Sequence, residues 1–320
     1  MTVYVIGRAS GAPGGRPPGL ALSRLLRARV TAVRDVGAQH GFQHLIATLE
    51  DGRQAFVKAA DSPGPEQAEA FAAEANGLRW LAEAGGAPVP GVLASTGDLL
   101  AIEYLPPGRA TPEAAEDFGA ALARTHAVGA PSFGAPWPGR IASLPLDNRP
   151  AAPDSTGPAT ADWGEWWQAR RVVPYIRRAA DDHLLSRADL SLVETVAARA
   201  GELGGPPEPP SRIHGDLWSG NVLWSCGRGW LIDPAAHGGH RESDLAMLDL
   251  FGAPHLERIL AAYDAEFPLA DGWRARIPLH QIYPAAGARV PVRRRIRRSA
   301  ECRRPRGPDG LTLFRAQGVG

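Results

Sequence analysis

Short apolar runs separated by turn residues make up most of the first hundred residues of the chain, and a longer helical pattern interrupts them once. Residues 54–58 follow the turn-forming residues 50–53 and predict a strand. Residues 66–84 repeat apolar side chains at intervals of three and four, which predicts one long helix. Residues 92–95 and 99–105 predict two further strands, the second of which stops at a Pro-Pro-Gly break. The pattern therefore predicts a small lobe of strands with one major helix.

The rest of the chain has mainly helical spacing, with buried strands around one polar segment. Ile213 ends an apolar run, residues 222–224 begin another, and residues 229–232 form a third. Asp244 precedes apolar residues at helical spacing, so we expect it to cap a helix. This part of the chain predicts a mostly helical lobe that carries the polar segment on strands.

The whole sequence predicts an α+β fold with two lobes, a small β-rich lobe and a larger, mostly helical lobe. A chain of 320 residues exceeds one typical core, and its 44% hydrophobic residues are ample for two. Runs of Pro and Gly mark a loop insertion and a short linker in the second lobe. The predicted units are an N-terminal extension (1–28), the small lobe (29–106), the helical lobe (107–284) and an atypical tail (285–320), with the insertion at 151–160 and the linker at 206–210.

Composition excludes several classes of protein. No run approaches the roughly 20 apolar residues of a membrane-spanning helix, and residues 1–26 lack the pattern of a secretory signal. The two cysteines provide no disulfide framework, which favours a reducing cytoplasm. His237 and His240 lack the further ligands of a zinc site, so we expect them to serve the loop. We therefore expect a cytoplasmic protein without a membrane partner.

The polar segment between the buried strands carries the candidate chemistry. Asn221 follows Asp216 at a spacing of five residues, and Asp233 ends the next strand pair. Phosphoryl transfer needs this set, because one carboxylate must accept or orient the attacking hydroxyl while an amide and a second carboxylate hold Mg²⁺. The alternative is a hairpin whose polar residues only cap turns, but the ordered array favours the catalytic loop of a kinase. We predict Asp216 as the catalytic base and Asn221 and Asp233 as magnesium ligands.

A solitary lysine is the second chemical feature. The 35 basic residues comprise Lys58 and 34 arginines, so this one position has kept an ammonium group in a chain that otherwise uses Arg. Kinases place such a lysine on a strand, where it contacts ATP phosphates and pairs with a glutamate of the next helix. Glu74 is the best candidate for that glutamate because it lies among small residues, and Glu69 and Glu83 remain open.

The chain resembles the fructosamine kinase (ketosamine-3-kinase) family, within the wider fold of aminoglycoside phosphotransferases and protein kinases. The resemblance spans about residues 30 to 284 and includes residues 214–221 (HGDLWSGN), 232–236 (IDPAA) and 239–247 (GHRESDLAM). It implies ATP- and Mg²⁺-dependent phosphorylation of a sugar hydroxyl on an Amadori-type ketosamine. The ketosamine would be a small molecule or a glycated protein, and the reaction would belong to protein deglycation.

The same resemblance implies roles for individual residues. Lys58 and Glu74 would position phosphates, and the strand end before the Pro-Pro-Gly break would meet adenine through Glu103, Tyr104 and Leu105. The aromatic face of Trp218 suits a sugar ring, although packing beneath the loop suits it equally. The residues implied on the substrate side are His214, Trp218, Arg241 and Glu242.

Two segments depart from the family pattern. Family members usually carry adjacent glycines in the phosphate-covering loop, expected here between Val36 and Leu45, whereas this chain has only Gly37 and Gly41. Backbone closure over the phosphates is therefore reduced, and imidazoles of this loop offer an alternative donor. The tail 285–320 holds ten arginines against two acidic residues, a net charge of +8. A basic arm for nucleic acid or an acidic membrane is one interpretation, and the product of a shifted reading frame is the interpretation we favour.

Three functional classes remain at this stage. A ketosamine kinase is the leading one. A small-molecule kinase of the aminoglycoside or choline type is the alternative, and Trp218 and Pro234 argue against it. The third is an inactive nucleotide-binding remnant, in which the thin glycine loop and the altered tail have removed turnover.

Overall fold

The computed structural model describes residues 19–141, 144–150, 163–183 and 185–287. Its first part is an antiparallel five-stranded sheet, which contains every strand predicted for the small lobe. The strands are β1 (Val30–Gln39), β2 (Phe42–Leu49), β3 (Gln54–Ala60), β4 (Val92–Ser95) and β5 (Leu99–Glu103). Their order in the sheet is β1-β2-β3-β5-β4, so β3 lies in the centre.

Alternation along the strands gives this sheet two apolar faces. Leu45 and Val57 lie on one face, which α1 (Gly19–Leu25) covers with the fully buried Leu22. Ile46 and Phe56 lie on the opposite face. There they pack against α2 (Pro65–Ala82), which confirms the long helix predicted over residues 66–84. The apolar residues that α2 buries are Phe71, Ala75, Leu78 and Leu81.

The second part of the molecule is mostly helical. Its main core lies between α3 and α9, where Phe118 and Leu122 pack with Ile259 and Tyr263. A five-residue π-helical turn, residues 168–172, separates α4 from α5. The helices are α3 (Pro112–Ala127), α4 (Trp163–Trp167), α5 (Val173–Asp181), α6 (Arg187–Ala197), α7 (Ala200–Leu203), α8 (Glu242–Phe251), α9 (Leu256–Glu266), α10 (Trp273–His280) and α11 (Ile282–Gly287).

Three two-stranded sheets lie among these helices and position the polar segment. The paired strands are β6 (Gly139–Ile141) with β7 (Leu144–Leu146), β8 (Ser211–Ile213) with β11 (His237–Gly239), and β9 (Val222–Ser225) with β10 (Arg228–Leu231). Because β8 ends where the candidate loop begins and β9 starts where it ends, the loop is fixed at both ends. The two-lobed α+β architecture expected from the sequence is confirmed.

Several local predictions can be compared with this structure. The strand predicted over residues 99–105 ends at Glu103, and residues 206–210 form an irregular connection, as predicted. The insertion at 151–160 and the tail beyond residue 287 lie outside the described residues. None of the helices in the described ranges combines the length and the apolar character needed to cross a membrane.

Candidate active site

The loop between β8 and β9 brings Asp216 and Asn221 together. The side-chain amide of Asn221 donates to the backbone carbonyl of Asp216 at 2.8 Å and to its carboxylate at 3.3 Å. The backbone amide of Trp218 also donates to the Asp216 carbonyl, at 3.0 Å. These bonds close the loop on itself and hold the Asn221 side chain in place.

A buried aspartate clamps the loop from behind. One carboxylate oxygen of Asp244 accepts the Gly215 amide at 2.9 Å, and the other accepts the His214 amide at 2.7 Å. The His126 ring contacts that second oxygen at 3.1 Å, and its other nitrogen lies 2.8 Å from the Tyr263 hydroxyl. Asp244 is fully buried, so these contacts replace water completely.

This clamp corrects the expectation that Asp244 caps a helix. Helix α8 begins at Glu242, two residues earlier, and its first turn has no side-chain cap. The structural role expected for Asp244 holds, but its carboxylate accepts backbone amides of the loop between β8 and β9. The sequence did not single out His126 and Tyr263. Nothing near either residue marks it as a partner of this loop, and His126 lies more than 80 residues before the loop in the sequence.

His214 also belongs to the support of the loop. Its ring is fully buried, and the Asp216 amide donates to its Nδ1 at 3.2 Å. The Nε2–H therefore donates to the Ile232 carbonyl, at 2.8 Å. Burial lowers the pKa of His214, with the charge of Asp244 opposing that shift, so the ring is neutral. These contacts correct the prediction that His214 lines the substrate side, because neither nitrogen reaches the cleft.

Lys58 forms the centre of a three-residue ionic network across the lobes. Its Nζ donates to Glu74 Oε1 at 2.7 Å, to Glu74 Oε2 at 2.8 Å and to Asp233 Oδ1 at 2.7 Å. Burial alone would lower the pKa of Lys58, but Asp233 and Glu74 raise it above its usual value. The structure thus brings the lone lysine together with the glutamate chosen from the sequence and with the carboxylate after β10.

Asp233 remains open to the cleft although it is paired. Its side chain is 46% exposed, against 10% for Lys58, and its second carboxylate oxygen has no hydrogen-bond partner among the residues that the structure describes. Its backbone φ is +53°, a left-handed conformation that is uncommon outside glycine and is often found at functional sites. Burial acts to raise the pKa of Asp233, but the Lys58 ammonium outweighs it and lowers the pKa below the ordinary range.

The electrostatic environment of Asp216 differs from that of Asp233. Burial raises the pKa of the Asp216 carboxyl well above its ordinary value, and the negative charges of Asp233 and Asp244 add to this effect. The hydrogen bond from Asn221 opposes it only partly. Two carboxylates whose pKa values are pushed apart in one cleft are typical of a division between a base and a charge-binding group.

The segment predicted as the phosphate-covering loop is the hairpin between β1 and β2. Its turn consists of His40 and Gly41, with φ values of +53° and +81°, and pairing continues up to Gln39 and Phe42. Gly37, at φ +120°, lies at a bulge of β1. Gly41 therefore serves the tight two-residue turn, and Gly37 serves the bulge beside it.

The strand end predicted to meet adenine keeps one backbone donor free. The amides of Glu103 and Tyr104 donate to the carbonyls of Gly91 and Gln54. In the part of the chain that the structure describes, the Leu105 amide has no such partner. The Glu103 side chain is exposed and Tyr104 packs partly against the α2 face of the sheet.

The remaining residues expected on the substrate side separate into two groups. Arg241 and Glu242 are 4% and 1% exposed, and their charges are used internally. Arg241 pairs with Glu208 at 2.7 Å, and both Glu242 oxygens accept from Arg276. These ion pairs correct the prediction of substrate contact for Arg241 and Glu242, since they leave no group for a ligand.

Trp218 is half-buried and lies beside the loop. A side chain at Gly220 would collide with its ring at 2.1 Å, so the indole lies directly over that glycine. The ring of Phe251, which is 38% exposed, meets Trp218 edge to face at 5.9 Å. Among the predicted substrate residues, Trp218 is the one that has an aromatic surface next to the loop, and its substrate contact stays a prediction.

Comparison with known proteins agrees with this geometry. The profile of the family described as fructosamine kinase matches residues 27–286. A "Probable ketoamine kinase" of Enterococcus faecium is 32% identical over 220 residues, which cover 67% of this chain and 74% of that protein. A crystal structure of a fructosamine-3-kinase candidate from Thermobifida fusca is 44% identical with a TM-score of 0.83, covering 89% of this chain and 99% of that chain.

More distant structures share the fold alone. The aminoglycoside phosphotransferase APH(2'')-Ib superimposes with a TM-score of 0.54 at 14% identity, over 88% of this chain and 94% of that chain. The protein is therefore an enzyme with a two-lobed, protein-kinase-like fold and kinase relatives. Since the family profile covers most of its length, the chain belongs to the fructosamine kinase family.

Proposed function

We propose that this enzyme transfers the γ-phosphoryl group of ATP to a sugar hydroxyl of a ketosamine, with Mg²⁺ as the metal. The observation that carries the proposal is the position of Asp216. Its loop is clamped by Asp244 and closed by Asn221, and its carboxylate lies within the field of Asp233 and hence near the Lys58 network. Preorganisation of this kind is the main contribution that a protein makes to phosphoryl transfer.

Asp216 acts as the base in this mechanism. A raised pKa makes its carboxylate a better proton acceptor than an ordinary aspartate, and it remains ionised above that pKa. The acceptor hydroxyl gives its proton to Asp216 as its oxygen forms a bond to the γ-phosphorus. The bond between that phosphorus and the oxygen of the ADP leaving group breaks in the same displacement, so ADP departs with the electron pair.

Asn221 and Asp233 fit a magnesium site by their donor chemistry. The Asn221 nitrogen is held by the Asp216 carbonyl, which leaves the amide oxygen for a cation, and Asp233 keeps an exposed carboxylate oxygen. Oxygen donors of this kind are those Mg²⁺ prefers. When bound, the ion would neutralise phosphate charge. Lys58 and Glu74 would position the phosphates, and the free Leu105 amide would pair with the adenine edge.

Support for the ketosamine as acceptor comes from the family and from Trp218. Relatives are named ketoamine kinases, and the aromatic pair of Trp218 and Phe251 offers a half-exposed apolar surface next to Asp216. Such a surface packs on the carbon face of a sugar ring, while the indole N–H can donate to a hydroxyl. Glycated protein side chains carry the same sugar as small ketosamines, so both belong to the proposed substrate class.

The test is ADP release from Mg²⁺–ATP across a panel of ketosamines and aminoglycosides. We expect turnover with ketosamines, loss of turnover in Asp216→Ala, and nucleotide binding that is largely kept in that variant. Selective turnover of aminoglycosides would show that the enzyme acts on another class of substrate. Nucleotide binding without turnover of any acceptor would identify an inactive remnant.

A further inference from the structure

His44 lies directly opposite the lone lysine in the small lobe. In the register of β2 and β3, His44 is the Cα partner of Lys58. Paired residues of antiparallel strands point to the same face with Cβ atoms about 5 Å apart. That face is the one with Phe56, whose ring lies 5.2 Å from the imidazole, and it looks onto α2 and the cleft. The imidazole therefore stands beside the Lys58 network.

The imidazole is half-buried and available for a ligand. Among the described residues, neither ring nitrogen of His44 has a hydrogen-bond partner. Burial and the charge of Lys58 lower the pKa of His44, so the ring is neutral at physiological pH and has one N–H donor. A packing role beside Phe56 would explain the burial but leaves the donor unused.

The hairpin that should cover the phosphates supplies few backbone donors. The Gly37 amide is taken by the Asp35 carboxylate at 2.8 Å, and strand pairing runs to the two-residue turn. A glycine-rich loop binds phosphates through free amides, whereas in this hairpin the Gly37 amide and the amides paired between β1 and β2 are already engaged. A side-chain donor on the cleft face is the available replacement.

We propose that His44 donates a hydrogen bond to the terminal phosphates of the bound nucleotide, next to Lys58. The proposal rests on ATP being the phosphoryl donor. It assigns His44 as a nucleotide-binding residue whose side chain supplies a phosphate hydrogen bond that backbone amides supply in a glycine-rich loop. It also gives a reason for the sparse glycines of this segment.

The experiment measures binding of ATP, ADP, AMP and adenosine, with Mg²⁺ and without acceptor, by titration calorimetry. His44→Phe keeps an aromatic ring against Phe56 and removes the N–H, whereas His44→Gln keeps an N–H donor. We expect His44→Phe to weaken ATP and ADP about 10- to 100-fold, with adenosine and AMP unchanged, because only the terminal phosphates lose a bond. His44→Gln should retain most of the affinity. His255→Asn, at an exposed left-handed position just before α9, is the matched control and should bind as the wild type does.

The possible outcomes distinguish a phosphate contact by His44 from a packing role, and both from a failure of the proposed function. Unchanged ATP affinity in a folded His44→Phe variant would overturn the proposal, and so would an equal loss for adenosine, which would indicate packing alone. Failure of the wild type to bind ATP would instead overturn the proposed function. If His44→Phe does not fold, ring ¹⁵N spectra of the wild type decide, with the His44 signal assigned from His44→Gln. ATP should shift that signal and adenosine should not; no shift with ATP would overturn the proposal.

Discussion

Asp244→Asn tests whether the buried clamp holds the catalytic loop. The substitution keeps the shape of the side chain and removes its charge. In the protein, the two carboxylate oxygens accept the His214 and Gly215 amides, and the His126 ring contacts one of them. Asparagine has one oxygen and one NH₂ group, and the NH₂ group cannot accept an amide hydrogen. At least one buried N–H of the loop therefore loses its partner.

The magnitude follows from the burial of this site. A hydrogen bond to a charged group contributes about 1.5–3 kcal/mol, and an unsatisfied buried donor costs a similar amount. A domain of about 150–250 residues changes its Tm by about 2–4 °C per kcal/mol, so we expect a decrease of roughly 3–12 °C.

Burial acts to raise the pKa of Asp244, but His126 and the loop amide lower it below the ordinary value. A lowered pKa means that the stabilisation is complete above the unfolded value of about 4 and is lost as pH falls through the folded one. The difference in Tm should thus persist at neutral pH and close only in acid.

The assay compares thermal melting and steady-state kinetics of Asp244→Asn with those of Asp117→Asn. Asp117 lies exposed on α3, so its variant makes the same chemical change away from the loop. A small displacement of a catalytic group can cost about 100-fold in rate, and we expect a kcat decrease of that order with little change in the KM for ATP. If Asp244→Asn melts and turns over as Asp117→Asn does, the clamp has no role in stability or catalysis.

Further predictions follow from the same site. Asp216→Asn should decrease kcat by about 10²–10⁴-fold. Because the pKa of Asp216 is raised in the folded protein, ionisation of this carboxyl destabilises the fold above that pKa. The Tm of Asp216→Asn should therefore be higher than that of the wild type at neutral pH, and an unchanged or lower Tm would contradict the raised pKa. In the wild type, the acid limb of kcat/KM should lie above about pH 4, as a pH–rate profile would show. Asp233→Ala should weaken Mg²⁺–ATP binding in calorimetry while leaving metal-free nucleotide binding nearly unchanged. Lys58→Arg should impair ATP use in kinetics although it keeps the charge. Sequencing the gene across codon 285 should show an apolar helical segment in another reading frame. If no such frame exists, the tail is better explained as a basic arm, and deleting it should remove salt-sensitive binding of polyanions.

Much of the local structure of the small lobe could be predicted from the sequence. Helix α2 follows from its apolar spacing because it buries one continuous face, and strand β3 follows from a short apolar run that is buried on both faces of the sheet. The pair of Lys58 and Glu74 was predictable for the same reason, since a strand and the helix that follows it were the only elements needed. The order and spacing of Asp216, Asn221 and Asp233 were enough to predict a chemistry for this loop without any knowledge of the fold.

The errors have a common physical cause. Arg241 and Glu242 are charged, and charge alone predicts exposure or ligand contact, yet each is buried against a partner from a distant segment. Asp244 likewise meets the loop and His126 only after α3, α8 and β8 have packed together. Residues satisfied by long-range ion pairs leave no periodic signal, so the sequence alone could not separate them from residues that face the substrate.

The single lysine shows how composition and geometry constrain each other. An ammonium group has three N–H donors around one atom, and at Lys58 all three meet carboxylate oxygens, at 2.7, 2.8 and 2.7 Å. A guanidinium group spreads its donors in a plane and matches one carboxylate side by side, so it cannot converge on Glu74 and Asp233 from a single point. The 34 other basic positions of the sequence are all arginine. Lys58 is therefore the position where the bonding pattern requires an ammonium group, and its bonds join a strand of the small lobe to Asp233 in the helical lobe.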